Sequence, residues 1–545
     1  MPNHNKNKHP NNQSHLKKSN SITVAILGGG IGGCMAALRL SEKFPDSKII
    51  LFEKNNNLLL GTSNCTPARM GLGFHYVDAN TAKTYLRQTI DFVKYFYQSC
   101  PFLMVGQEFP EDNFLRNGRY FIVKDSLFSS EQILETYETL AKEYAELVKR
   151  DKKNELFGNP TQFYRILESK EYENDINLAH LDTAIETHEH LLNWPYFRKF
   201  LLDEIATHKN IEVLIEREVQ DIGYLYTQNV YLIRLKQEDL CKYSNPHKAD
   251  FVINATWEWA DYFNSKIGYY RLPVPDEIRT NRAKVIIKVK LPDELKEKNS
   301  MFFCIGPYCM FSNIGEGYGL ITYAPKTNRK NSTSLIPEKE YLDLINGRIS
   351  EEDKLKIAKE IIKGVSQYIP AMSEAKMDEV RFGTVQVEGE ADIADIFDSS
   401  SKIHERDYMG LRYLEDGFIS LTCMKLLYGH GNANTVVSLF DEFKNETLPK
   451  VKQIKNFIYT KFCSDIKIKN KDQSLNIPLL AGLCFAWFKK SRPASRPSDS
   501  LDLNKASTCP IGTFCDNFFM KITLNKELKE KEYLKMEKNS ATVST

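Results

Sequence analysis

The sequence carries no excess of charge of either sign. Its 545 residues include 73 Lys and Arg against 71 Asp and Glu, which gives a formal net charge of +2. Proteins that bind nucleic acids usually show a basic surplus. We therefore predict no nucleic-acid partner.

The cysteines show no pattern of pairs. There are 11 of them, an odd number, and no Cys-x-x-Cys spacing occurs. This usage argues against a disulfide framework and against a zinc site. We expect reduced thiols, no bound metal and a cytoplasmic location.

Long hydrophobic runs are also missing. The sequence has no run of about 18 apolar residues, the length that a transmembrane helix needs, and residues 1–20 lack the apolar core of a secretory signal. The apolar stretch at 477–488 is too short to span a bilayer, but Lys489, Lys490 and Arg492 follow it directly. We predict either a docked helix or peripheral membrane contact through residues 477–492.

Length and composition divide the chain. At roughly 150 residues per domain, the length suggests about three to four units. Residues 1–20 are rich in Asn, Lys and His, which predicts a disordered arm. Residues 446–545 form a C-terminal extension of unknown role. Its mixed-charge end is either a solvated helix or similar to the export signals of bacterial type IV secretion substrates.

A glycine cluster follows the first strand. Gly28, Gly30 and Gly33 match the pattern G-x-G-x-x-G, with Ile31 and Gly32 between the last two. An apolar run precedes the cluster and a helical pattern begins within it, which is the context that a dinucleotide-binding turn requires. The first glycine permits the turn, the second lets the backbone approach a pyrophosphate, and the third allows close helix–strand packing. The phosphates would lie at the helix N-terminus.

An acidic residue completes this pattern. A second apolar strand at 48–53 ends on Glu53, about 20 residues after the last glycine, where an acidic residue can hydrogen-bond a ribose hydroxyl. Lys54 follows at the same edge, and we include it among the cofactor-binding residues. The pattern alone does not separate NAD from FAD.

The rest of the chain mixes helices and strands. Hydrophobic periodicity predicts helices over 85–96, 130–148, 196–205, 351–368 and 434–443, and strands over 211–219, 231–235, 251–255, 284–291, 318–323 and 417–421. The period of two in 284–291 predicts an antiparallel sheet with one face in solvent.

The segment after the acidic strand, residues 61–76 (GTSNCTPARMGLGFHY), resembles the D-amino-acid oxidase superfamily of FAD-dependent oxidoreductases. In that family the corresponding segment lines the pyrophosphate and the ribityl chain. The resemblance implies contacts to FAD from Thr62, Ser63, Arg69 and Met70. It also implies non-covalent FAD, because Gly71 stands near the position where some members attach the flavin to a histidine.

Two later segments extend the resemblance. Residues 249–261 look like the family's second FAD segment, which implies contacts from Ala255 and Thr256, and Val219 stands where members contact the adenine. Residues 416–437 resemble the closing strand, loop and helix, which places Lys425 near the flavin ring. The resemblance spans roughly residues 22–445.

The resemblance implies an α/β fold in which a Rossmann-like FAD-binding domain is interleaved with a mixed α+β substrate domain. The FAD-binding domain would comprise residues 21–80, 170–265 and 400–445. The substrate domain would comprise residues 81–169 and 266–399.

The implied activity is the transfer of a hydride from a CH–NH or CH–OH group to flavin N5, with oxygen or a quinone as electron acceptor. The protein would resemble an amino-acid oxidase or a 2-hydroxy-acid or glycerol-3-phosphate dehydrogenase, acting on a small substrate that bears a carboxylate or a phosphate. The alternative is a non-catalytic or secreted effector-like protein that uses the fold as a scaffold.

Substrate contacts are predicted from residue type. Arg and Tyr side chains commonly hold a substrate carboxylate, and the candidates are Arg381, Arg406, Tyr308 and Tyr323. His430 is the preferred acid or base, ahead of His75, because it lies between two glycines in the expected flavin loop.

Overall fold

The computed structural model describes residues 21–107, 118–225, 227–236, 245–267, 279–405, 410–415, 417–422 and 424–445. The predicted arm at 1–20, the predicted extension at 446–545 with its segment 477–492, and Arg406 lie outside the described residues.

The helices include several with side-chain caps. They are α1 (Ile31–Lys43), α2 (Ala79–Phe96), α3 (Ser130–Arg150), α4 (Trp194–Thr207), α5 (Ala260–Lys266), α6 (Asp293–Lys296), α7 (Ala324–Thr327), α8 (Lys339–Ile345), α9 (Glu351–Ser366) and α10 (Tyr428–Lys444). The side chains of Asp78, Ser129, Asn193 and Ser350 cap α2, α3, α4 and α9. In contrast, α1 begins after Gly30, which offers no side-chain cap.

The strands form three sheets. They are β1 (Thr23–Leu27), β2 (Lys48–Phe52), β3 (Arg119–Val123), β4 (Tyr164–Ile166), β5 (Leu181–Thr187), β6 (Ile211–Leu214), β7 (Val219–Leu225), β8 (Val230–Leu235), β9 (His247–Ala249), β10 (Phe251–Asn254), β11 (Arg279–Lys290), β12 (Met301–Cys304), β13 (Cys309–Gly315), β14 (Tyr318–Tyr323), β15 (Asn328–Ser332), β16 (Lys376–Glu388), β17 (Leu411–Glu415) and β18 (Phe418–Leu421).

The first sheet has six strands in the order β17-β18-β10-β1-β2-β6. All neighbours pair in parallel except β17, which is antiparallel to β18 at the edge. Strands β1 and β10 are apolar and almost completely buried, as parallel strands covered on both faces should be. The carboxyl ends of β1, β2, β10 and β18 share one edge, so the residues that follow them come together there.

The second sheet has nine strands in the order β15-β11-β14-β13-β12-β3-β5-β4, with β16 also paired to β11. The long antiparallel pair of β11 and β16 runs from the Arg279–Glu388 pairing to the Lys290–Lys376 pairing. The third sheet is β7-β8-β9. The predicted cofactor segment 170–265 contributes strands to all three sheets.

Two predicted elements differ from the structure. The predicted strand 211–219 is broken by a turn in which Glu216 has a φ of 54°, so β7 leaves the first sheet for the third. The last predicted helix begins at Tyr428 rather than at residue 434. The predicted antiparallel pairing and alternation of residues 284–291 are confirmed: Val285, Ile287 and Val289 are buried, whereas on the other face Lys284 and Lys288 are half-buried and Lys290 is exposed.

Candidate functional site

The glycine turn between β1 and α1 leaves no room for side chains. Gly28 has a φ of +101°, and a Cβ there would lie 2.6 Å from Ala255 O. A Cβ at Gly33 would lie 2.0 Å from Gly28 O. The turn therefore packs directly against the end of β10, and the first turn of α1 contains no acidic residue. A helix N-terminus of this kind favours an anionic group.

Glu53 is held at the end of β2. Its Oε2 accepts a hydrogen bond from Gly29 N at 2.8 Å, and its Oε1 accepts from Asn55 N at 2.8 Å and from Asn55 Nδ2 at 2.7 Å. An ionised carboxylate offers about four acceptor positions. The three protein hydrogen bonds leave one position for a further donor such as a hydroxyl.

One cavity of about 1380 Å³ extends from this turn to the faces of β11 and β16. This volume exceeds the range of about 300–1,000 Å³ that is typical of a site for one small ligand. The cavity collects most of the predicted cofactor-binding residues, namely Gly28, Gly30, Ile31, Gly32, Glu53, Lys54, Thr62, Ser63, Arg69, Val219, Ala255, Thr256 and Lys425.

Two predicted cofactor residues lie behind the lining. Gly33 packs against Gly28, the packing role that the glycine pattern predicts. Met70 is completely buried, and its N–H donates to His190 O at 3.0 Å.

Polar contacts hold the lining in place. Ser63 Oγ accepts from Ile31 N at 3.0 Å, which satisfies the first N–H of α1. Lys54 forms an ion pair with Glu258 at 3.3 Å, and that carboxylate raises the pKa of Lys54. Burial raises the pKa of the Cys65 thiol to about 12, so this lining cysteine stays protonated at neutral pH.

The predicted substrate residues separate into two groups. Arg381 and Tyr308 line the cavity, whereas Tyr323 and His430 do not. Arg381 Nε donates to Glu379 at 2.8 Å. The Tyr308 hydroxyl donates to Asp125 O, and burial raises its pKa. Tyr323 lies instead against α9, where its ring fills the space beside Gly364.

His430 lies on the far side of α10. Because the helix begins at Tyr428, this residue is in its first turn instead of a loop, and its ring stacks on Tyr95 of α2 at 4.3 Å. Its Nε2 lies 3.1 Å from Asn434 Nδ2, and Asn434 Oδ1 accepts from Arg39 Nε at 3.0 Å. Burial and the nearby Arg39 lower the pKa of His430 to about 4.

We expect this histidine to make the fold acid-sensitive. The folded pKa of about 4 lies below the ordinary 6.5, so the unfolded chain binds the proton more readily between these values. Stability should be complete above pH 6.5 and should fall by about 3 kcal/mol as the pH drops to 4. Urea unfolding at a series of pH values measures this loss.

The matched control for this prediction is His430→Gln, which cannot titrate. His190 is also buried with its pKa lowered to about 4 and contributes a background slope in both proteins. The wild type should therefore lose more stability than the variant over this pH range. Equal slopes would contradict the prediction.

Sequence reasoning missed several cavity residues. Arg282, Lys284 and Trp257 line the cavity without having been named as candidates, and His75, the second choice after His430, lines it too. The side chain of His75 is exposed to the cavity; limited solvation there, together with the positive charges of Arg69 and Lys425, lowers its pKa. The alternation of polar and apolar residues in β11 was the available signal for Arg282 and Lys284, because the face of the strand that carries the polar side chains borders the cavity.

A buried ion pair of Arg69 and Glu189 forms part of the cavity lining. Glu189 is 1% exposed and Arg69 is 12% exposed. Glu189 Oε1 accepts from Arg69 Nε at 2.9 Å, and Oε2 accepts from the Tyr120 hydroxyl at 2.7 Å and from Leu72 N at 3.0 Å. The guanidinium also lies 3.8 Å from the centre of the Phe302 ring.

Two other kinds of site are absent from the part of the chain that the structure describes. No group of His, Cys, Asp or Glu side chains there is arranged to hold a metal ion. None of the helices there combines the length and the apolar character needed to cross a bilayer.

No protein-family model and no curated protein matches the chain. Solved structures do match. Glycine oxidase from Geobacillus kaustophilus is 14% identical with a TM-score of 0.51, and the match covers 77% of this chain and 95% of that one. Glycine oxidase from Bacillus cereus ATCC 14579 is 13% identical with a TM-score of 0.50, over 78% and 98%. L-amino acid deaminase from Proteus vulgaris is 11% identical with a TM-score of 0.51, over 79% and 94%.

These matches cover 77–79% of this chain and 94–98% of the matched proteins. At such low identity they establish the fold. The chain therefore has the fold of these glycine oxidases and this L-amino acid deaminase, which confirms the fold that the resemblance implied.

Proposed function

We propose that this protein is an FAD-dependent oxidoreductase. The observation that carries the proposal is the continuity of the cavity, which begins at the Gly28–Gly33 turn and Glu53 and ends against β11 and β16. A dinucleotide would occupy the first part, with its pyrophosphate at the N-terminus of α1. The volume of about 1380 Å³ leaves space for a second, small molecule beyond it.

The residues of the first part fit this cofactor. The turn can approach a pyrophosphate closely because its glycines carry no side chain, and Glu53 keeps an acceptor position for a ribose hydroxyl. Val219, Ala255 and Thr256 line the same part. We infer that FAD is held non-covalently, with Lys425 on the side of the flavin ring.

The second part is suited to an anionic substrate. Arg282 and Lys284 of β11 border it, so a carboxylate or a phosphate would meet positive charge there; Arg381 of β16 also borders it but is paired with Glu379. Tyr308 lines the same region. We propose a substrate with a CH–NH or CH–OH group next to such an anionic group.

Bound FAD would accept the hydride that leaves the substrate carbon. His75 is the better candidate for the accompanying proton transfer, because it lines the cavity, which His430 does not, and is neutral at pH 7; its lowered pKa also makes it a weaker base than an ordinary histidine. An alcohol substrate needs such an acceptor, whereas an amine that arrives neutral does not. The electron acceptor is proposed to be oxygen or a quinone.

The absorbance spectrum of the purified protein tests this proposal. Blue and near-ultraviolet flavin bands that are released by heat would support non-covalent FAD. A colourless protein that takes up no added FAD would overturn it. If FAD is present, anaerobic bleaching by amino acids, hydroxy acids or glycerol phosphate identifies the substrate class, and no bleaching by the whole panel would count against an anionic substrate of these kinds.

Replacing the acidic residue at the end of β2 tests the first part of the cavity. We expect Glu53→Ala to weaken FAD binding at least about tenfold, since a tenfold change corresponds to about 1.4 kcal/mol, the scale of one hydrogen bond to a charged group. Titration of the apoprotein with FAD measures the affinity.

Glu212→Ala provides the matched control. Glu212 lies on the neighbouring strand β6 in an exposed ion pair with Lys48, and it does not line the cavity. Its removal should leave the FAD affinity within about twofold of the wild type. An unchanged affinity in Glu53→Ala would contradict the ribose role.

A further inference from the structure

Trp257 has a backbone conformation that is unusual for its residue type. Its φ is 59°, in the left-handed region that favours glycine. It follows Thr256 directly, just beyond the carboxyl end of β10, and its partly buried side chain lines the cavity. Strain of this kind persists only where the surroundings impose it, and it is concentrated at functional sites.

Strand β16 holds this residue by both its side chain and its backbone. The indole Nε1 donates to Thr384 O at 2.8 Å, and Gln386 Nε2 donates to Trp257 O at 3.0 Å. The same amide donates to Asn281 Oδ1 on β11 at 2.9 Å. The second sheet therefore fixes the conformation of a residue that belongs to the edge of the first.

Thr384 also contacts a second segment of the part of the cavity proposed to hold FAD, here called the cofactor half; the part bordered by β11 and β16 is called the substrate half. Its N–H donates to Thr62 Oγ1 at 2.9 Å, and Thr62 belongs to the segment beside the glycine turn. The end of β10 and the segment at residue 62 are thus both fastened to one point of β16. A glycine at position 257 would adopt the same φ without strain, but it would supply neither the indole N–H nor the ring.

We propose that Trp257 is a positioning residue that fastens the cofactor-binding end of β10 to β16 and so fixes the spacing between the cofactor half and the substrate half of the cavity. This inference rests on the proposed function. It explains why a strained tryptophan stands where glycine would fit the backbone.

The test uses a residue that cannot touch the cofactor. Gln386 does not line the cavity, and it is 4% exposed. Gln386→Met keeps the side-chain length and removes the amide, and we expect it to raise the FAD dissociation constant of the full-length protein about fivefold by releasing Trp257. Trp257→Phe should raise it by a similar factor. In a Trp257→Gly background, Gln386→Met should add less than about twofold, because the glycine keeps the carbonyl oxygen but lacks the indole ring that this hydrogen bond positions.

The matched control is Tyr341→Phe. Tyr341 is buried outside the lining and donates to Thr384 Oγ1 at 3.0 Å, so the variant removes a hydrogen bond from the same threonine without involving Trp257. It should lower the melting temperature and leave the FAD affinity within about twofold. The absorbance maximum of bound flavin should shift only in the variants that affect Trp257.

The outcomes are separable. Suppose that the wild type binds FAD, and that Gln386→Met and Trp257→Phe fold and bind FAD with unchanged affinity and spectrum. This result would overturn the present inference but not the proposed function. Wild type that binds no FAD would overturn the proposed function with it. Full additivity of Gln386→Met and Trp257→Gly would also overturn the inference, because Gln386 would then act by another route.

Discussion

The Gly33→Ala variant is expected to lose FAD binding by a factor on the order of 100 or more and to unfold more easily by about 2–3 kcal/mol. The added methyl group would lie 2.0 Å from Gly28 O, and a backbone atom cannot move aside as the end of a flexible side chain can. The start of α1 must therefore shift away from β1. That shift would carry the helix N-terminus out of the position from which it can meet a pyrophosphate.

Gly429→Ala is the matched control, since it makes the same substitution in the first turn of α10. A Cβ there would lie 3.4 Å from Met35 and 3.5 Å from Ile31, which are ordinary contacts. The change should alter stability by no more than about 1 kcal/mol, in the stabilising direction if helix propensity dominates. Urea unfolding and FAD titration measure both effects. If Gly33→Ala bound FAD as tightly as Gly429→Ala does, the proposed role of the glycine turn in FAD binding would be refuted.

The second large effect is expected at Glu189. Its replacement by Leu should destabilise the protein by about 3–5 kcal/mol, because the guanidinium of Arg69 would remain buried without its charge partner. The Tyr120 hydroxyl and Leu72 N would lose their acceptor at the same time. The expected loss is a large part of the stability of an ordinary domain.

A double variant separates the charge from the packing. Arg69→Met combined with Glu189→Leu removes both charges, and we expect it to be more stable than Glu189→Leu alone. The exposed pair Arg165–Glu171 supplies the control: Glu171→Gln should cost less than about 1 kcal/mol. If the double variant is no more stable than Glu189→Leu, the loss does not arise from an uncompensated charge.

Much of the cofactor half could be predicted from local sequence. Several glycines between a buried strand and a helix, as at Gly28–Gly33, predict a dinucleotide-binding turn. Glu53 follows at a distance along the chain that is set by the length of one helix and one strand. The parallel pairing of β1 with β2 then follows from their apolar character and from the helix that connects them. Such features are local because the same short segment both forms the structure and carries the contacts.

The substrate half could not be predicted in this way. The choice between His430 and His75 depended on where α10 begins, and that start is set by packing against α1 and α2, which lie far away in the sequence. The proposal that Tyr323 contacts substrate rested on residue type alone, whereas the structure places its ring against α9.

The sequence by itself determined the glycine turn, the acidic residue after β2 and the order of the elements around them, because each depends on neighbours along the chain. The tertiary structure alone decided which charged side chains border the cavity and which carboxylates form ion pairs with buried cations. It also decided that Trp257 is held in a left-handed conformation. These features depend on contacts between residues more than a hundred positions apart, such as Trp257 with Thr384 and Arg69 with Glu189. No local pattern encodes such distances, since they are fixed only when the two large sheets pack.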